Sequence, residues 1–286
     1  MSAPLPAWLL SALAAVTVCC VMFGIGLGIA PRELVSAWRR PGLMLRALFA
    51  VLVAVPVVAW AVCVALDLPR EVAVGIVLMA IAPGAPLALQ RSLGAGAHHA
   101  FAPGLQISVA ALAVVSMPLS VAAINHVYGT HGSLSPLQLM KQVMTLQLLP
   151  LGFGVATGRL LPRTGAWLRP RLDRLGKLLL VLLVVYVAFA FREDLARAGT
   201  GMILAMVLTT VGALGLGHAL GGPDPGTRTA VAIVSAARNA GLALLAATLN
   251  SAPAAVTAVL PVYIFVSALT MIPYAVWRVR LASRAD

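Results

Sequence analysis

Charge is what this sequence lacks. Only 10% of its 286 residues are charged and 61% are hydrophobic, whereas a soluble domain carries roughly 25% Asp, Glu, Lys and Arg. Acid is scarcest: 8 Asp and Glu stand against 20 Lys and Arg, for a net charge of +12. Every carboxylate (Glu33, Asp67, Glu71, Asp173, Glu193, Asp194, Asp224, Asp286) falls in a stretch read as a connection or terminus. No pair of them is placed for acid–base hydrolysis. The 3 cysteines, Cys19, Cys20 and Cys63, lie inside apolar runs. They have neither disulfide context nor metal-ligand spacing and read as packing residues. Of the 5 histidines, His98 and His99 adjoin in a connection, and His218 alone sits within a run, where it reads as interfacial. Such a set makes no metal site. With no nucleophile beside a base, an enzyme is not expected, and no cofactor or metal is implied.

What the sequence holds in quantity is apolar runs long enough to cross a bilayer, roughly 20 residues each. They predict an all-α integral membrane protein, one polytopic domain over residues 1–286. Nine helices are expected near 7–30, 42–66, 72–91, 101–124, 138–159, 176–192, 200–220, 228–250 and 254–277. The basic residues sit between these runs, so the positive balance reports topology and not nucleic acid. Arg32, Arg39, Arg40, Arg46, Arg91, the cluster from Arg159 to Lys177, Arg228, Arg278, Arg280 and Arg284 occupy alternate connections. The intervening connections hold only Arg70, Lys141, Arg192 and Arg197. That bias predicts a multi-pass protein of the cell (inner) membrane, N-terminus outside and C-terminus in the cytoplasm. No Lys or Arg precedes the first run, which argues against a signal peptide. The Arg-rich stretch from Arg159 to Lys177 reads as a loop lying against anionic membrane lipid.

Two runs are interrupted near their middles, one at Pro83-Gly84-Ala85-Pro86 and one at Arg238-Asn239-Ala240-Gly241. Backbone groups freed at bilayer depth are tolerated only beside protein or a water-filled cavity. A matched pair in the two halves of a chain points to a transporter's binding site. In the predicted topology the two broken helices run in opposite senses. Helices 1–4 then mirror helices 6–9 as inverted-topology repeats, with helix 5 as an extra. Arg238 follows Arg228, at the membrane face, by about 15 Å of helical rise, half of a roughly 30 Å hydrocarbon layer. A cation there costs about 2.5–3.5 kcal/mol on insertion scales. With no internal carboxylate to pair with, it needs carbonyl oxygens at the breaks or an anionic ligand. A purely structural role is preferred to direct contact with a substrate carboxylate.

The chain resembles the bile acid/sodium symporter family of ten-helix carriers. The likeness is carried by Met22-Phe-Gly-Ile-Gly-Leu27, Arg40-Pro41, Pro56 with Trp60, Ala73-Val-Gly-Ile-Val-Leu78 ahead of Pro83-Gly84, and Asn239-Ala-Gly-Leu-Ala243, in register from about residue 15 to about residue 275. It implies a nine-helix member without the family's first helix. The broken helices would cross near the midplane within a core domain (42–66, 72–91, 101–124, 200–220, 228–250, 254–277). A panel domain (7–30, 138–159, 176–192) would face it across the substrate. Carried over position by position, the family's sodium ligands are mostly gone. Its Gln before the first break is Val51, its Ser-Asn after that break is Ala88-Leu89, and its Ser and Thr in the next helix are Ala102 and Gln106. Its Glu in the second broken helix is Val234 and its Gln is Arg238, while Asn239 is retained. A hard cation needs oxygen ligands, so sodium coupling through these sites is not expected.

The resulting expectation is a secondary carrier of a small organic anion, working by alternating access as a sodium-independent uniporter or exchanger. The residues expected at the substrate are Arg238, Asn239, Gln106, Ser108, Ser235 and Thr270, with the crossover backbone at Pro83, Gly84, Ala85, Pro86 and Gly241. Each isolated hydroxyl competes with a helix–helix hydrogen-bonding role. Arg91 reads as snorkelling to the interface. The alternatives are a sodium or proton symporter with remodelled ion sites, and a membrane sensor or scaffold that keeps the fold without transport.

Overall fold

A chain this apolar must satisfy its backbone internally, and helix does that within a single segment. The computed structural model describes residues 7–29, 35, 37–85, 88–128, 135–190, 199–249 and 252–283, and no strand occurs among them. The helices are α1 (Ala7–Gly28), α2 (Pro41–Ala65), α3a (Arg70–Ala80), α3b (Ala88–Gly94), α4 (Phe101–Tyr128) and α5 (Pro136–Leu160). They continue as α6 (Pro162–Ala190), α7 (Thr200–Leu220), α8a (Pro225–Ala236), α8b (Ala240–Leu249) and α9 (Ala254–Ala282). Among the described residues, 6 stretches are long and apolar enough to cross a membrane: α2, α4, α5, α7, the α8 pair and α9. Proline opens α2, α5 and α8a, where its missing N–H is an unused donor in any case. Ser135 and Asp224 cap α5 and α8a through the amides of Gln138 and Thr227.

The Arg159–Lys177 stretch is a correction to the sequence reading. It is almost entirely helical, because α6 starts at Pro162 and not near 176. Arg and Leu are strong helix formers and Pro162 suits a first turn. Charge marks where a helix leaves the hydrocarbon, not where it ends. Asp173, read as a loop residue, therefore stands on α6 facing α1, its Oδ1 3.5 Å from where a side chain at Gly24 would begin.

Helices α1, α5 and α6 pack on one another, and α1 also lies against α8b. Small residues let the backbones meet. A Cβ at Gly26 would fall 2.3 Å from the Leu151 carbonyl oxygen, and one at Gly154 would fall 2.3 Å from that of Phe23. On the other side α8 is surrounded. In the stretch Pro225–Thr248, 94% of the most apolar window is buried, against 39% for α2 and α9. A helix enclosed by protein can break its hydrogen-bond ladder where a lipid-facing one cannot.

Replacing Gly154 by Ala should lower stability by about 1–3 kcal/mol through overpacking at α1. Gly152→Ala, with nothing within 4 Å of the added carbon, should be neutral or slightly stabilising. Thermal melts of the detergent-solubilised protein compare the two.

Candidate functional site

The first break runs from Ile81 to Ala85, where the chain turns through Gly84 at φ +78°. Glycine adopts that left-handed geometry without a Cβ penalty. The second break is Ala237–Asn239. The two touch directly: the Asn239 backbone amide donates to the Ala82 carbonyl at 2.9 Å. The Asn239 side chain works locally, its Oδ1 accepting from the Leu242 amide at 3.0 Å. It thus caps the start of α8b while its backbone holds the other break. From α4, buried Gln106 donates through Nε2 to the Ala85 carbonyl at 3.1 Å.

Arg238 is 8% exposed and makes two contacts. One guanidinium nitrogen donates to the Val51 carbonyl of α2 at 3.1 Å, and the other to the Ser235 carbonyl one turn back, at 2.5 Å. The Val51 oxygen is free for a local chemical reason. Residues Ala50–Ala54 form a π turn, in which the Val55 amide bonds to the Ala50 carbonyl. In that register the donor for Val51 would be residue 56, which is Pro56 and has no N–H. The sequence reading seats Arg238 on carbonyl oxygens at the breaks, where it would hold the two broken helices together. Instead it ties α8 to α2, and the breaks are joined by Asn239. Tyr263 of α9 is fully buried in the same core. Each bond to a charged group contributes about 1.5–3 kcal/mol, enough to offset the insertion cost of the cation.

A cavity of about 110 Å³ opens beside the crossing. Thr17 and Val18 of α1 and Leu183 of α6 form one wall; Ala85, Arg91, Arg238, Asn239 and Gly241 form the other, with Ser267 and Met271 of α9. Of the predicted residues, Arg238, Asn239, Ala85 and Gly241 therefore line one space. Gln106 lies a layer behind, on the Ala85 carbonyl. Ser235 supplies its carbonyl, and its hydroxyl is buried without a partner. Pro83 and Gly84 are buried in the first break. Pro86 lies outside the described residues. Ser108 and Thr270 are elsewhere. The Ser108 hydroxyl bonds to Gly104 and accepts from the Trp38 indole, and the Thr270 hydroxyl bonds back to Val266. Both hydroxyls are already satisfied by their own helices.

Arg91, read as snorkelling to the interface, is exposed and also lines the cavity, and two buried residues escaped the sequence reading altogether, Tyr263 and Gln147. The last is fully buried in the π turn Met144–Leu148 of α5, with Nε2 reaching the Ala110 carbonyl and Oε1 unpaired. An amide in an apolar run shortly before Pro150, as Val51 stands before Pro56, was the available signal. A larger cavity of about 440 Å³ lies among α2, α3a and α4. No charged side chain lines it, so it offers no anchor for an ion.

The model of the Sodium Bile acid symporter family matches residues 15–197, more than half of the chain. The chain belongs to that family. A Bacillus subtilis (strain 168) protein named as the uncharacterized sodium-dependent transporter YocS is 24% identical over 240 residues, covering 82% of this chain and 73% of that protein. This protein is a multi-pass membrane transporter. The family match takes in α1 to α6 and the first break, while Arg238 lies beyond it.

Asn239→Ala should cost about 0.5–2 kcal/mol through the lost cap, and Asn239→Asp, which keeps the accepting oxygen, should cost less. Thermal unfolding in detergent reads the difference, and equal melting of the two variants would remove the capping role.

Proposed function

We propose that this transporter carries a small organic anion by alternating access and uses no sodium at the family's ion sites. The observation that carries the reading is the seat of Arg238 on the Val51 and Ser235 carbonyls. The resemblance puts Val51, Gln106 and Arg238 at positions where symporters offer oxygen to sodium. Here Val51 has no side-chain oxygen and Arg238 presents N–H donors, while Gln106 bonds to the Ala85 carbonyl through its N–H and keeps one buried, unpaired Oε1. A cation entering beside the guanidinium would meet about 4 kcal/mol of repulsion at about 4 Å and an effective dielectric near 20, roughly a thousandfold in affinity.

A tethered cation never dissociates, so it cannot draw on an ion gradient. That favours a uniporter or exchanger. The mutual packing of α1, α5 and α6 supports reading them as a panel that rocks against a core built on the broken helices. We place the protein in the cell (inner) membrane with the C-terminus in the cytoplasm, on the arginine bias alone. The two broken helices then form the centres of inverted repeats. In this orientation the Arg91 end of the cavity faces inward.

In proteoliposomes, uptake of a radiolabelled organic anion chosen by thermal-shift screening should be the same within about twofold in sodium and in choline. A tenfold fall on sodium removal would overturn the reading. Arg238→Gln should cut uptake at least about tenfold and Arg238→Lys less, since truncating one partner of a buried charged contact costs 2–5 kcal/mol.

A further inference from the structure

Arg91 is the feature left unexplained. It lines the same cavity as Arg238, although α3b leads away from the break and puts it about 4.5 Å of helical rise beyond Ala88. No hydrogen bond or ion pair links its side chain to another described residue. No carboxylate among the described residues lines the cavity. Two donors at the crossing are also buried and unpaired, Arg238 Nε and Asn239 Nδ2. Arg238 and Asn239 thus line one end of the cavity, with the unpaired Nε and Nδ2 sealed just beneath its surface, and exposed Arg91 lines the other. Between them the wall is alkyl, formed by Ala85, Ala88 and Val18.

A single carboxylate satisfies one end of this arrangement and leaves the other cation uncompensated. Size restricts the choice further. The cavity measures about 110 Å³. That suits a short chain and is far below the 300–1,000 Å³ of pockets for drug-sized ligands, so a steroid skeleton does not fit. We propose that the substrate is a short dicarboxylate. One carboxylate sits at the Arg238–Asn239 end, the second pairs with Arg91, and the methylene chain crosses the alkyl wall. This deepens the organic-anion reading and rests on it.

The test is a calorimetric titration of the full chain in detergent with succinate and with butyrate, at neutral pH and fixed ionic strength. The two probes share a chain length and differ by one carboxylate. Succinate should half-saturate the protein at a concentration at least about tenfold lower, the value of one added charge-assisted contact. Arg91→Gln should bring the ratio of the two affinities close to one, and Arg91→Lys should restore part of it. Equal affinities in the parent protein, or an unchanged ratio in Arg91→Gln, would overturn the assignment. Butyrate binding without a preference for succinate sinks the dicarboxylate and leaves an organic-anion carrier standing. Binding of neither probe also sinks it, and the uptake assay then decides the wider reading independently. The parent titration alone is decisive should the variants fail to fold.

Discussion

A permanent cation buried with no carboxylate partner among the described residues is the constraint on which this structure turns. Arg238 cannot shed its charge and cannot reach water easily, so the protein must bring oxygen to it. It does so with main chain: the Val51 carbonyl from α2 and the Ser235 carbonyl from α8. Side-chain acid would have been the simpler partner, but acid is what this chain lacks. The contact links α2 to α8, and the Asn239 amide links α8 to the broken α3 through Ala82. Three helices are thereby held at one depth by hydrogen bonds that all end on backbone oxygen.

Backbone oxygen is available only where helices are imperfect, and the chain makes them imperfect by design of its prolines. Pro56 follows the π turn Ala50–Ala54 and Pro150 follows the π turn Met144–Leu148. In each, the register shift and the missing N–H leave a carbonyl with no donor in its own helix. Around α2 that carbonyl meets the guanidinium. Around α5 the same irregularity accompanies buried Gln147, which reaches across to α4. Glycine does complementary work in α1 and α5, where Gly26 and Gly154 remove the Cβ atoms that would hold the backbones apart.

The family match and the site geometry bear on different questions. Membership makes the chain a transporter. It does not dictate what the crossing binds, because the match ends before Arg238. The composition of the cavity bears on that second question. Its polar edge is made of donors and cations, with no carboxylate among the described lining residues, and a site of that character attracts acceptors.

Apolar runs and their punctuation determined that this chain is a helical membrane protein with two interrupted spans. A bilayer demands long apolar helices, and Pro and Gly cannot be hidden within them. Arg238 was legible as a buried charge because its distance from Arg228 follows from helical rise alone. What the sequence could not disclose was which oxygens receive it. The Val51 carbonyl belongs to no side chain, and its freedom arises from a π register that composition does not announce. Nor could it separate Ser108 and Thr270, whose hydroxyls bond within their own helices, from Asn239, or show that α6 begins at Pro162. Only the packing of α1 against α8b, with Leu183 of α6 on the same cavity, decided that Arg91 shares a cavity with Arg238, since a side chain at a helix end can turn inward or outward until its neighbours are in place.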